Sequence, residues 1–433
     1  MNRAPRDQGL VREIGTFGLA ASIINGVIGA GIFVVPAAMS AGAGASAPLA
    51  FLCCAILMAG VVICFAEGGR RIATSGGPYG YIDAAFGPFA GFLAGTLLWV
   101  GDVLACGGVV AALADAISTE LPQRLATVAR PILIITALSS VAAINASGVA
   151  WGTRFVGAAT LIKLLPLLVF IAVGMFSLHS AHLSVTSAPS AHGFGRAVIL
   201  GVYAFTGMEI ALAASGEVRQ PSRTIPRALA IAMLFVTLLY VAIQFIAQGM
   251  LGAALASSSA PLADAMGRVN PALRTLLLVG TGFSMFAWLG SDLLGSPRIL
   301  FAFGRDGLLP ARLGRVHPRT HAPHIAIFAY GAIAAVLALT GTFAELAVLA
   351  TLTTSTLYLA GCAAVWALSR REGPAGAAVW LTAAPVAGIV GMLFVIGLAS
   401  SVEIGGLLAM IAISALAYWL RYMAYVRRSE VRS

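Results

Sequence analysis

NGVIGAGIFVVP, residues 25–36, lies inside a long apolar run yet carries Gly26, Gly29 and Gly31 within six positions. Glycine inside a helix costs about 1 kcal/mol relative to alanine. Membrane helices tolerate it where two backbones approach closely. The stretch is therefore either a helix-helix contact surface or a place where the helix stops. FTGME at 205–209 sets another glycine inside an apolar run. Two interrupted spans, five apart in order, favour the second reading, because that spacing marks a transporter built from inverted repeats with broken helices.

Composition supports a membrane setting. The chain of 433 residues is 60% hydrophobic and 10% charged, against roughly 25% charged in an ordinary soluble domain. Its mean hydropathy is +0.96. A spanning helix needs about 20 mostly apolar residues. Twelve such runs are expected, at 14–40, 46–66, 84–115, 128–147, 154–177, 194–215, 227–249, 273–303, 323–341, 345–368, 375–399 and 403–425. No soluble domain fits in the remainder. The polar head MNRAPRDQGLVRE has no brief apolar core or small-residue cleavage site after it, so no removable signal peptide is expected.

The isoelectric point near 9.9 raises the question of a nucleic-acid partner. The arginines, however, are spread over loops rather than gathered into a stripe, and none is expected. With both termini in the cytoplasm, roughly 20 basic residues fall on the inner side and about 5 outside, which sets the orientation. The five cysteines all lie in apolar spans and read as small packing residues. His317, His321 and His324 share an inner loop and read as surface rather than as a metal site. No cofactor or metal is expected.

The chemistry of a broken helix suggests a ligand. Unwinding exposes N–H groups at the start of one half-helix and carbonyls at the end of the other, and such groups are tolerated in a bilayer only where they line a cavity. A carboxylate suits the first end and an ammonium the second. An α-amino acid carries both groups on one carbon. No GxxxxGK[ST] pattern points to an ATP-driven pump, and no HExxH or GxSxG to a membrane-embedded enzyme. A channel is disfavoured because the breaks suggest an occludable site rather than a continuous pore.

Four segments together resemble the amino acid-polyamine-organocation superfamily of transporters. They are NGVIGAGIFVVP at 25–36, GGPYGYIDAAFG at 76–87, AFTGMEIALAASGEVRQPSRTIPRAL at 204–229 and RILFAFGRDGLLPARLGRVHPRTHAP at 298–323. The resemblance implies an all-α membrane fold of twelve helices, with five-plus-five inverted repeats and breaks in helices 1 and 6. It divides the chain into a cytoplasmic tail (1–13), a first repeat (14–178), a second repeat (193–369), two peripheral helices (374–425) and a second cytoplasmic tail (426–433). A bacterial inner membrane is the expected location. It also implies a substrate site between the breaks, where Gly29, Ala30 and Gly31 would approach the carboxylate, the last two offering N–H groups. The carbonyls of Val27, Tyr203 and Thr206 would receive the ammonium, and Phe205 and Trp288 are candidate aromatic gates, with ordinary packing an equal reading for Trp288.

Charges within the bilayer cost at least about 2.5 to 3.5 kcal/mol each, so each is a functional candidate. Asp102, Lys163, Glu209 and Asp292 cannot be assigned to an interface. Glu67 and Glu217 read instead as loop-edge residues that pair with nearby arginines. Lys163, the only lysine, lies nine residues beyond Arg154, and at about 1.5 Å per residue that is roughly 13 to 14 Å into a core about 30 Å thick. Stretching to the interface covers about half that distance. In proton-coupled members of the resembled superfamily a lysine in a similar TLIK setting takes the place of a sodium ion, so no sodium site is expected. Lys163 would then touch the carbonyls around Asn25 to Ile28, either as a proton carrier or as a fixed charge. Glu209 would carry a proton, set the conformational equilibrium or bond loose N–H groups of the break. Asp102 would bind a cationic substrate, relay a proton or pair with another buried group, and Asp292 would face Lys163. The expected activity is secondary transport of an α-amino acid, neutral and proton-coupled, or sodium-independent exchange of cationic amino acids or polyamines.

Overall fold

In the computed structural model the helix that begins at Thr16 stops at Val27, and the next begins at Gly31. The structure describes residues 12–29, 31–72, 77–147, 163–185, 188–212, 215–305, 307, 309–320, 322–371 and 380–430. In chain order the helices are α1 (Thr16–Val27), α2 (Gly31–Ala43), α3 (Ala47–Arg71), α4 (Pro78–Phe86), α5 (Pro88–Ser118) and α6 (Gln123–Ala146). Next come α7 (Lys163–Ser177), α8 (Ala191–Phe205), α9 (Met208–Leu212), α10 (Pro221–Leu251), α11 (Pro261–Gly267) and α12 (Pro271–Gly295). The series ends with α13 (Pro297–Arg305), α14 (His324–Thr340), α15 (Phe343–Arg371), α16 (Trp380–Gly397) and α17 (Ser401–Glu430). Among the described residues β pairing is limited to one bridge. Ile14 N donates to Glu217 O at 3.0 Å and Arg219 N donates to Ile14 O at 2.9 Å.

Local sequence sets many of these limits. Proline occupies the first turn of α3, α4, α5, α10, α11 and α12, where its missing N–H costs nothing. Thr342 and Glu345 exchange hydrogen bonds across the start of α15, and Ser400 and Glu403 do the same at α17. Both are capping boxes. Two apolar runs divide where the sequence alone suggested continuity. Gly87, at φ +86, separates α4 from α5, and Ser296, with Pro297 opening the next helix, separates α12 from α13. The first part of the run at 154–177 lies outside the described residues, which resume at Lys163.

Among the described residues eight helical stretches are long and apolar enough to cross a membrane, and four shorter apolar helices lie among them. Large apolar side chains such as Ile56, Leu234, Val279 and Ile413 stand outside the packed core. Lipid tails, rather than water, suit such a surface. The molecule is an integral membrane protein. Within it the broken helices are central, since 83% of an 18-residue window of Ala191–Leu212 is buried against 11% of one of Ser401–Leu420. Around that centre α2 packs on α8, α1 on α9 and α10, and α5 on α15.

Candidate functional site

The two breaks meet backbone to backbone. A Cβ on Gly26 would stand 2.7 Å from the Gly207 carbonyl oxygen, and one on Gly207 would stand 2.5 Å from that of Gly26. Gly207 also sits at φ +112, a left-handed conformation that side chains resist. Both readings of the glycines therefore hold, at different positions. Gly26 is a packing glycine inside α1, and the helix stops just after it. In the gap, Gly29 N donates to Val27 O at 2.7 Å, and the Trp288 indole lies so close to Gly29 that a Cβ there would meet Nε1 at 2.7 Å. Ala30 lies outside the described residues.

Carbonyls released by the first break find a donor. Lys163 Nζ donates to Asn25 O and to Ile28 O, each at 2.7 Å, and the residue is 3% exposed. Val27 O takes a second donor, the Tyr240 hydroxyl, at 2.8 Å. Both of its lone pairs are thereby used. Tyr203 O is likewise engaged, by Thr206 N at 3.2 Å and Thr206 Oγ1 at 2.7 Å.

The second break is held by an acid. Glu209 accepts from Gly207 N through both oxygens, at 3.2 and 3.1 Å, and from the Tyr358 hydroxyl at 2.5 Å. It is buried and tied to the backbone that the break exposes.

Asp292 lines the same cavity as Lys163 but bonds elsewhere. Its Oδ2 accepts from the Tyr330 hydroxyl at 2.7 Å, and its Oδ1 lies 3.0 Å from Ser296 Oγ. That same serine oxygen is 2.7 Å from Asp102 Oδ2. Among the described residues no carboxylate lies within 4 Å of Lys163, and no arginine or lysine within 4 Å of Asp102 or Asp292. The expected facing of Lys163 and Asp292 is thus a shared cavity without an ion pair. Glu67 does pair with Arg70 and Arg71, at 2.6 and 2.5 Å. Glu217 has no ion pair among the described residues, and it contributes its carbonyl to the bridge with Ile14 instead.

Two cavities flank the crossing and share Gly26, Ile210 and Trp288. The smaller, about 40 Å³, is lined by Val27, Gly29 and Gly31 from the first break, Tyr203, Thr206 and Glu209 from the second, and by Asp102 and Trp288 beside them. The larger, about 190 Å³, is lined by Ser22, Asn25, Lys163, Ser291 and Asp292. Phe205 lines neither. It is fully buried, with its ring 6.1 Å from Phe51 and 5.5 Å from Tyr240. Tyr240, Tyr330 and Tyr358 were not singled out in the sequence, although a tyrosine in an apolar run must find a partner for its hydroxyl once buried. Each is fully buried and serves a group at the site.

A helical membrane protein whose central helices break at one crossing, with polar groups lining small cavities on either side, has the build of a transporter that closes around its cargo. The chain matches the amino acid permease family over residues 14–426, and it belongs to that family, within the amino acid-polyamine-organocation superfamily. It is 28% identical over 408 residues to the serine/threonine exchanger SteT of Bacillus subtilis, covering 90% of this chain and 92% of that one. An uncharacterized transporter of Mycobacterium tuberculosis is 33% identical over 351 residues, 78% of this chain and 76% of the other. The methylthioribose transporter of Bacillus subtilis is 28% identical over 351 residues, 77% and 76% of the two chains. The protein is a membrane transporter rather than an enzyme.

Proposed function

We propose that the protein moves a small neutral α-amino acid across a bacterial inner membrane by alternating access, as an exchanger or a proton symporter. The observation that carries this reading is the crossing at Gly26 and Gly207, where both broken helices open onto one cavity. That cavity, at about 40 Å³, has room for only a few waters. Binding an amino acid requires the breaks to move apart, which is what an alternating carrier does. In this reading Gly31 and Ala30 face the substrate carboxylate. The carbonyl of Thr206 takes its ammonium together with Val27 and Tyr203, whose present donors must give way, and Trp288 closes over it. Lys163 supplies to the first break the positive charge that a sodium ion would otherwise provide.

The architecture that goes with this function has twelve spans, with repeats at 14–178 and 193–369, peripheral helices at 374–425 and both termini in the cytoplasm. The serine/threonine exchanger among its relatives supports a small polar substrate. A second reading, exchange of a cationic amino acid or polyamine, is favoured by Asp102, which lines the same cavity as the breaks without a cation beside it among the described residues. Uptake of radiolabelled amino acids and polyamines into proteoliposomes, with and without a pH gradient, tests both. Carriage of L-serine or L-threonine supports the first reading. Preference for arginine, lysine or a polyamine, lost in Asp102→Asn, establishes the second. If nothing is carried or exchanged, both fail.

A further inference from the structure

Asp102 and Asp292 belong to different helices, α5 and α12, and to different cavities, yet one side chain touches both. Asp102 lines the smaller cavity between the breaks, and Asp292 lines the larger one that holds Lys163. Ser296 Oγ stands between them, 2.7 Å from Asp102 Oδ2 and 3.0 Å from Asp292 Oδ1. Its place is well fixed. Ser296 follows the last residue of α12, its N–H donates to Asp292 O at 2.9 Å, and Pro297 starts α13 immediately after it. The residue is 5% exposed.

A hydroxyl has one proton to donate. Ser296 can therefore serve Asp102 or Asp292 as a donor, but not both at once. The acid that does not receive this proton must be held by other groups or, when protonated, donate to Ser296 Oγ itself. Asp292 has the Tyr330 hydroxyl on its other oxygen. Asp102 has Ser296 alone among the described side chains. We infer that Ser296 is a positioning residue for transport, whose hydroxyl links the carboxyl at the substrate cavity to the carboxyl at the Lys163 cavity and aligns one according to the state of the other. This rests on the transport reading for its kinetic readout, though not for the linkage itself.

Other titratable groups face this bridge. Cys106 lies one turn along α5 from Asp102 and near Asp292. Glu209 comes from α9, Tyr203 from α8 and Tyr330 from α14. Lys163 is on α7 across the larger cavity. A pH profile alone therefore has several sources, and substitutions at Ser296 are needed to isolate the bridge.

The test uses the full-length protein in proteoliposomes, with L-serine and L-threonine exchange measured across pH. Ser296→Ala is expected to raise KM about tenfold, the order of effect of one lost hydrogen bond to a charged group, and to shift the pH profile of exchange. Ser296→Thr, which keeps the hydroxyl, is expected to restore both. Should Ser296→Ala match wild type in KM and pH profile, or lower only the amount of folded protein with the profile unchanged, the inference is overturned. A second measurement needs no transported substrate. Melting temperatures of Asp102→Asn, Asp292→Asn and the double variant are expected to be non-additive, and additive once Ser296→Ala is present. Equal non-additivity in both backgrounds also overturns it. Absence of any amino acid exchange in wild type would count against the transport reading and leave this thermodynamic cycle to decide the linkage. If the aspartate variants do not fold, the contrast between Ser296→Ala and Ser296→Thr decides it.

Discussion

On the α1 side of the site a single ammonium, Lys163, is surrounded by carbonyl oxygens, while on the α5 and α12 side two acids, Asp102 and Asp292, are surrounded by hydroxyls. Lys163 and Asp292 line the larger cavity together, and among the described residues they do not pair. A direct buried ion pair would fasten α7 to α12, and breaking such a pair costs about 3 to 5 kcal/mol. Dipoles solvate each charge separately instead. In the proposed alternating-access reading, groups held apart on separate helices in this way leave no strong bond to be broken when the cavity opens.

That contrast can be attacked directly. The largest effect is expected from Lys163→Met, which leaves the Asn25 and Ile28 carbonyls without donors at about 1 to 3 kcal/mol each. Exchange in proteoliposomes should be lost, and the melting temperature of the purified protein should fall markedly. Retention of both would mean that the carbonyl side needs no cation. Next comes Tyr330→Phe on the acid side, where loss of one hydrogen bond to a carboxyl is expected to cost about 1.5 to 3 kcal/mol. Thermal unfolding of the variant measures it. An unchanged melting temperature would show that hydroxyls contribute nothing to holding Asp292.

Tyr240→Phe should do less. Val27 O keeps its bond from Gly29 N, so about 0.5 to 1.5 kcal/mol is at stake. A loss as large as that of Lys163→Met would place the key donor on α10 rather than on α7. The smallest effect belongs to an ordinary ion pair beyond the end of α5. Arg274 donates to Glu120 at 2.9 and 2.5 Å and holds that carboxyl below the usual carboxylate range. With the folded value depressed, the stabilisation is present above the unfolded value and is lost as pH falls through the folded one. Both groups are about one-third exposed, so the contribution is small. Glu120→Gln should slightly reduce acid sensitivity of the melting temperature and leave exchange unchanged.

Much of the frame was legible in the residues. Thr342 to Glu345 and Ser400 to Glu403 spell capping boxes, and the glycines at 26–31 and 207 mark interruptions, because backbone chemistry at a helix end is local. Intramembrane charge at Asp102, Lys163, Glu209 and Asp292 was equally visible, since each is a polar letter in an apolar run. Which of these meet was not. Asp102 and Ser296 lie 194 positions apart, and Lys163 lies 138 from Asn25. Helices that are apolar nearly all round carry no stripe to say which face turns inward. The same gap explains why Asp292 could be expected to face Lys163 while its actual partners, Ser296 and Tyr330, were not foreseen. The tyrosines escaped notice for a related reason, because an aromatic ring in a membrane span reads as packing until the acceptor for its hydroxyl is known.

The bridge between Ile14 and the segment 217–219 has a mechanical meaning. It knots the lead-in of α1 to the chain just beyond α9 with two main-chain bonds. Those bonds draw on no side chain, so nearly any residue at 14 or 218 preserves them. Proline at 14 or 219, which removes one of the two donors, would loosen the knot and leave the crossing at Gly26 and Gly207 to hold the two broken helices together.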